Sequence, residues 1–200
     1  MPRDQRTITP DDIMPIAQYE LIRADKKQEA ILRKKLTRIA IGPYATLMFE
    51  SWDSMWLQIQ EMVRIEKGGD EQIADEIHAY DPMVPKGHEF TATLFFEVPD
   101  PVRRDALLRS IGGVEAHISL QVGGERIDAR PEGDIERTRA SDGKTSAVHF
   151  LHFDLTPTAI AAWRSGEGMA LVVIDHPNYG HAAMIGADTR AFLARECLVR

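Results

Sequence analysis

The chain has 200 residues, with 24 Lys and Arg against 31 Asp and Glu for a net charge of −7, and 44% of its residues are hydrophobic. That balance suits a globular chain of about one domain's length with a sizeable core, and it lies far from the polar composition of disordered chains. The longest strongly apolar run, Met169 to Ile174, is far shorter than the ~18–20 residues of a membrane span. Met1-Pro2-Arg3-Asp4 has no apolar stretch behind it of the kind a secretory signal needs, and the single cysteine, Cys197, excludes an internal disulfide framework and a Cys-rich metal site. A cytoplasmic protein is expected.

Charge is uneven along the chain: residues 1–40 carry +3, residues 41–100 carry −9 and residues 101–200 carry −1. Thr9-Pro10-Asp11-Asp12 combines an N-cap residue, proline at the first helical position and first-turn acids, so a helix is expected there and Pro15 interrupts it. Ile16 to Leu36 then reads as a long basic amphipathic helix carrying Arg23, Lys26, Lys27, Arg33, Lys34 and Lys35. Its charge admits an acidic partner, but the acidic overall balance and the lack of interleaved aromatics argue against nucleic acid. Solvation, or pairing with the acidic middle of the same chain, is expected instead.

Arg38 to Ile41 and Tyr44 to Glu50 flank Gly42-Pro43 and read as a strand pair. From Trp52 to Glu66 the period returns to 3.6, with Asp53 or Ser54 expected as cap and Gly68-Gly69 as stop. The Trp/Met/Ile stripe of this helix should be core, while Gln58, Gln60, Glu61 and Arg64 form a polar face suited to a partner. A further helix, Glu71 to Ala79, ends before Asp81 to Gly87, a connector rich in Pro and Gly. One domain spanning 1–200 is expected, with a helical region and strand pair over 1–80 and a sheet region over 88–200.

Beyond the connector the same plan occurs twice at an offset of about 56–57 residues. Phe90 to Val98 is a strand, Asp100-Pro101 opens a helix to Ile111, Gly112-Gly113 ends it, and Val114 to Val122 and Glu125 to Ala129 are strands across Gly123-Gly124. In the second copy Ala147 to Leu155, the helix after Thr156-Pro157, Met169 to Ile174 and His181 to Ile185 take the same places. Pro131 to Lys144 reads as the joining loop and Asp188 to Val199 as a final helix. The expected class is α+β: a mixed sheet from two β-α-β-β units with helices packed on it, plus the N-terminal helices and strand pair.

If each strand-helix-strand piece is a parallel crossover, one sheet edge collects His152, Asp154, Asp175 and His176, with His181 joining from the next strand. Carboxylates and imidazoles together suit a single transition metal such as Zn, Mn or Fe, with Asp175, His176 and His181 as its expected ligands. No H-E-x-x-H accompanies them, and the plainer reading makes Asp154 a residue before a cap and Asp175-His176-Pro177-Asn178 a turn. His149 and His152 alternate to opposite faces of one strand and read more readily as hydrogen-bonded structural histidines. A di-iron carboxylate set, a nucleophile elbow and a phosphate loop are all missing from the sequence.

Several strings carry a resemblance: Ala40-Ile41-Gly42-Pro43 leading to Leu47-Met48-Phe49-Glu50, Gln58-Ile59-Gln60-Glu61-Met62 with Arg64-Ile65-Glu66, Lys144-Thr145-Ser146-Ala147-Val148-His149-Phe150-Leu151, and Ile174-Asp175-His176-Pro177. In this order, over nearly the whole chain, they resemble the bacterial domain of unknown function family 3501. Ser51 stands where the family pattern has Asn, and His152 where it has Arg. The resemblance implies a redox or peroxide-defence setting with a rubrerythrin-like or iron–sulfur protein as partner, and it singles out Glu50, Gln58, Glu61, Arg64, Lys144, His149, Asp175 and His176. Two function classes follow: an accessory or interaction protein, or a metal-dependent or acid–base enzyme using the His/Asp edge. A homodimer is the commonest symmetric state, though no residue demands it.

Overall fold

The computed structural model describes Asp4 and residues 6–133 and 137–199. The tip of the expected 131–144 loop, residues 134–136, and most of the first five residues lie outside this range. After a short 3-10 turn, Pro10–Asp12, closed by a Thr9/Asp12 capping box, come α1 (Ile16–Thr37), β1 (Arg38–Ile41), β2 (Ala45–Phe49), α2 (Trp52–Glu66) and α3 (Gly69–Tyr80). The two units follow. The first holds β3 (Glu89–Phe96), α4 (Pro101–Ser110), β4 (Ile118–Val122) and β5 (Glu125–Asp128). After β6 (Arg130–Pro131) the second holds β7 (Val148–Asp154), α5 (Pro157–Ser165), β8 (Ala170–His176) and β9 (Tyr179–Met184), and α6 (Ala187–Cys197) closes the chain.

The α+β class and the duplicated plan are both present, but the sheet is not mixed. Strands order β1-β2-β3-β7-β6 in one sheet and β5-β4-β8-β9 in another, and every paired strand is antiparallel. Each unit gives its first strand to the first sheet and its hairpin to the second, so β3 pairs with β7 and β4 with β8. The connecting helix carries the chain between sheets instead of returning it to the same one. Burial differs between the strands: β8 alternates between buried and less covered residues, as an antiparallel layer with one wetter face does, whereas β3 is covered on both faces and β7 buries His149, Leu151 and Phe153 on one face and His152 on the other. The equivalent helix starts confirm the repeat: Asp100 accepts from Arg103 N at 2.7 Å, and Thr156 accepts from Ala159 N at 3.0 Å.

The inner faces of both sheets share one core, including Leu47, Phe90, Leu94, Leu120, Val172 and Ile174, to which α5 adds Trp163, its ring tilted against Phe90 at a centroid distance of 4.5 Å. Tyr179 of β9 ties the sheets together: its hydroxyl donates to Ile41 O at 2.7 Å and accepts from Ala45 N at 2.9 Å. This contact is why the Gly42 turn lies against β9. Gly42 adopts φ +68°, and a side chain there would meet the His181 ring at 2.5 Å. Val114–His117 forms a 3-10 turn, not the start of a strand.

The helical region has its own cluster, built on Ile8, Tyr19, Trp56, Ile59, Val63 and Met83. The cap of α2 is Ser51, reciprocally bonded with Ser54, and its stop is Lys67 at φ +56°. Gln60 is not on a polar face; it is fully buried and clips Met14, donating to Met14 O and accepting from Met14 N, both at 2.9 Å. The 81–87 connector is clasped rather than free, with Asp81 accepting from Thr7, Ile8 and Lys86 and with Met83 and Val84 buried. Cations of α1 meet acids of the acidic middle: Arg23 with Glu61 and Arg33 with Asp53. Among the described residues no helix is long and apolar enough to cross a membrane.

Candidate functional site

The outer face of the first sheet carries Thr46, Met48, Thr93, Phe95, Val148 and Phe150, with Met48, Thr93 and Phe150 in one cross-strand row. α1 runs over this face. At ~1.5 Å per residue its 22 residues span about 33 Å, yet it buries only Tyr19 and Thr37, so it is pinned near its two ends. Between the middle of α1, α2 and the sheet lies a cavity of about 420 Å³, lined by Ile31, Met48, Met55, Phe95, Val148 and Phe150 among others. Ligand sites commonly fall in this size range.

Glu50, one residue past β2, sits at the cavity floor with 1% of its surface exposed. Thr93 Oγ1 donates to its Oε1 at 2.6 Å, and Ser54 Oγ lies 2.7 Å from its Oε2. Ser54 also receives Ser51 N–H at 2.8 Å and stands 3.0 Å from Ser51 O. Ser51 O already accepts the Ser54 and Met55 N–H groups, so the Ser54 hydroxyl hydrogen is left to donate to Glu50. Burial pushes the Glu50 carboxyl up, and the hydroxyl bonds with the Lys34 and Arg33 charges return only part of that shift. The floor is thus a carboxylic acid held toward its neutral form.

Three of the sequence-predicted residues, Glu50, Gln58 and Glu61, meet around this cavity. Gln58 Nε2 lies 3.4 Å from Tyr80 OH. Glu61 is held at a pKa of about 2 by the Arg23 guanidinium, against its partial burial, and also accepts from Tyr19 OH at 2.6 Å. It locks α1 to α2. Arg64 does the same further along, bonding Glu20 at 2.5 Å.

The others lie elsewhere. Lys144 binds Asp105 at 2.5 Å, anchoring the inter-unit loop on α4. His149 is fully buried on the opposite face of β7, with Nε2 2.9 Å from Ser146 O, Nδ1 unpartnered, and burial holding its pKa down. Asp175 and His176 are successive residues of β8 and point to opposite faces: Asp175 bonds Arg126 at 2.8 Å and His117 at 3.1 Å, while His176 accepts from Asn178 N. His181 pairs across from Ile174 and packs under Gly42. The expected metal trio does not converge, and among the described residues no group of three His, Cys, Asp or Glu is arranged to hold a metal ion. His152 and Asp154 belong to the first sheet and not to that edge. His152 lies between two carboxylates, 2.8 Å from Glu89 and in close contact with Glu132. Burial opposes its charge, but those carboxylates prevail and its pKa is raised.

Sequence reasoning missed Lys27, Lys34, Ser54, Thr93, Tyr80, Val148 and Phe150. A signal existed in Lys27-Ala30-Ile31-Lys34, whose i, i+3, i+4, i+7 spacing makes one stripe of α1.

Fold and site define an α+β protein of two antiparallel sheets with a helix-roofed, ligand-sized cavity. The family model described as "Protein of unknown function (DUF3501)" matches residues 7–197, and the chain belongs to that family. No curated protein matches it. A crystal structure of a novel protein of unknown function from Burkholderia pseudomallei is similar, at 35% identity over 96% of this chain and 100% of that chain, with a TM-score of 0.88.

Proposed function

We propose that this protein is a small-molecule-binding accessory protein that works through the cavity under α1. The observation that carries this reading is a cavity of about 420 Å³ with apolar walls and a fully buried carboxyl group at its floor. Cores pack densely, with few voids larger than a water molecule, so an opening of this size lined by Ile31, Val148 and Phe150 is a cost that a bound molecule would offset. A redox setting, with a rubrerythrin-like or iron–sulfur protein as the partner served, is part of the proposal on the family resemblance alone.

The test uses the neutral fluorophore phenylnaphthylamine. It should bind saturably at one molecule per chain, and Ala30→Trp, which fills the cavity from α1, should abolish binding while the melting temperature stays within a few degrees of the parent. Absence of saturable binding, or binding untouched by Ala30→Trp, would overturn the reading.

A further inference from the structure

Resting on that reading, we infer that the cavity takes a free amphipathic anion, an unbranched chain of medium length ending in a carboxylate, with its head on Lys27 and Lys34 and its body along the Met48-Thr93-Phe150 row. Charge complementarity at the rim selects this occupant. Cations and anions line this cavity together, and two of them are held in close ion pairs. Glu61 is bound by Arg23 and Tyr19, and Arg33 by Asp53. Lys27 and Lys34, both exposed, make no close ion pair or hydrogen bond among the described residues; they act on Glu61 and Glu50 only at longer range, and Glu61 already has Arg23, so the rim is left with an excess of positive charge. They are seven residues apart on one face of α1, about 10 Å along the axis, and flank Ala30 and Ile31.

Below them the walls change character. Ile31 is half exposed above the cavity, and Val148 and Phe150 are exposed on the sheet beneath it, beside the partly covered Met48 and Phe95. A fully polar anion would leave these groups wet, and a fully apolar molecule would leave the two lysines without a close counter-charge. A cationic head would meet repulsion from Lys27, Lys34 and Arg33 together. A molecule with a charged end and an alkyl body satisfies both surfaces at once.

Competition against bound phenylnaphthylamine tests this directly, with octanoate, octanol, octylammonium and inorganic phosphate as competitors. Octanoate should displace the fluorophore at least tenfold better than octanol or octylammonium, and phosphate should not displace it. Hexanoate should bind about tenfold more weakly than octanoate, the effect of two buried methylenes. The Lys27→Ser/Lys34→Ser protein should lose at least tenfold in octanoate affinity with octanol unchanged. Octanol or octylammonium competing equally well, phosphate competing alone, or an octanoate affinity indifferent to the two lysines would overturn the inference while leaving the binding cavity standing. Failure of phenylnaphthylamine itself to bind would overturn both.

Discussion

Replacing Glu50 by Gln isolates the one buried acid of the cavity. Gln has the same shape, accepts from Thr93 as Glu50 does at 2.6 Å, and can place its amide N–H on the Ser54 oxygen that lies 2.7 Å from Glu50. At pH 4, where the unfolded carboxyl is also largely protonated, the two proteins should have stabilities within about 1 kcal/mol of each other. Because the folded pKa is raised above the usual 4.5, the unfolded chain binds fewer protons than the native one above that pH. The parent therefore loses stability as pH rises toward the folded pKa, by about 1.4 kcal/mol per unit, and the loss then levels off. Glu50→Gln has no such loss, so it gains relative to the parent by the same amount, about 3 to 6 °C in melting temperature per pH unit for a chain this size. Urea unfolding of both proteins from pH 4 to pH 8 measures the difference. A difference that is flat, or that favours the parent as pH rises, would show Glu50 charged in the folded protein and refute the reasoning.

Other sites give separate expectations. His152→Ala should cost about 2–3 kcal/mol, because it leaves the buried Glu89 carboxylate with only the Lys86 N–H and the more distant Arg130 as partners. In the parent, the contribution of His152 is fully present below its unfolded pKa and is lost as pH rises through its raised folded value. His152→Arg, permanently charged and able to reach Glu89 and Glu132, should abolish that alkaline loss in a series of melting curves. Arg190 donates to the carbonyls of Ala162, Trp163, Gly166 and Gly168, closing the end of α5, so Arg190→Lys should lower stability by about 2–3 kcal/mol. Urea unfolding should show this as a shifted midpoint with unchanged slope.

The elements were legible where local chemistry punctuates the chain. Thr9-Pro10, Gly42-Pro43, Asp100-Pro101 and Thr156-Pro157 mark real helix starts and a real turn, and the repeated spacing marks two real units. The division into two sheets was not legible, because the pattern along Val148 to Asp154 marks a strand without saying which strand lies alongside. The same period shows why Asp175 and His176 part company: neighbours in sequence on a strand are opposites in space. Glu50, Gln58 and Glu61 were reachable through the family strings, but Lys27 and Lys34 read as one more solvated charged face until the sheet beneath them was in view.

The most direct measurement uses methionine methyl groups, because the cavity under α1 is lined by methionines that line none of three other cavities. Met48 and Met55 line the cavity under α1, Met14 lines those beside Trp56 and Ile73, and Met169 and Met184 line the one beside Arg190. With methyl-labelled methionine, a carbon–proton correlation spectrum titrated with octanoate should shift Met48 and Met55 saturably and leave Met14, Met169 and Met184 in place. Saturable shifts at Met169 and Met184, or none at Met48 and Met55, would contradict the account.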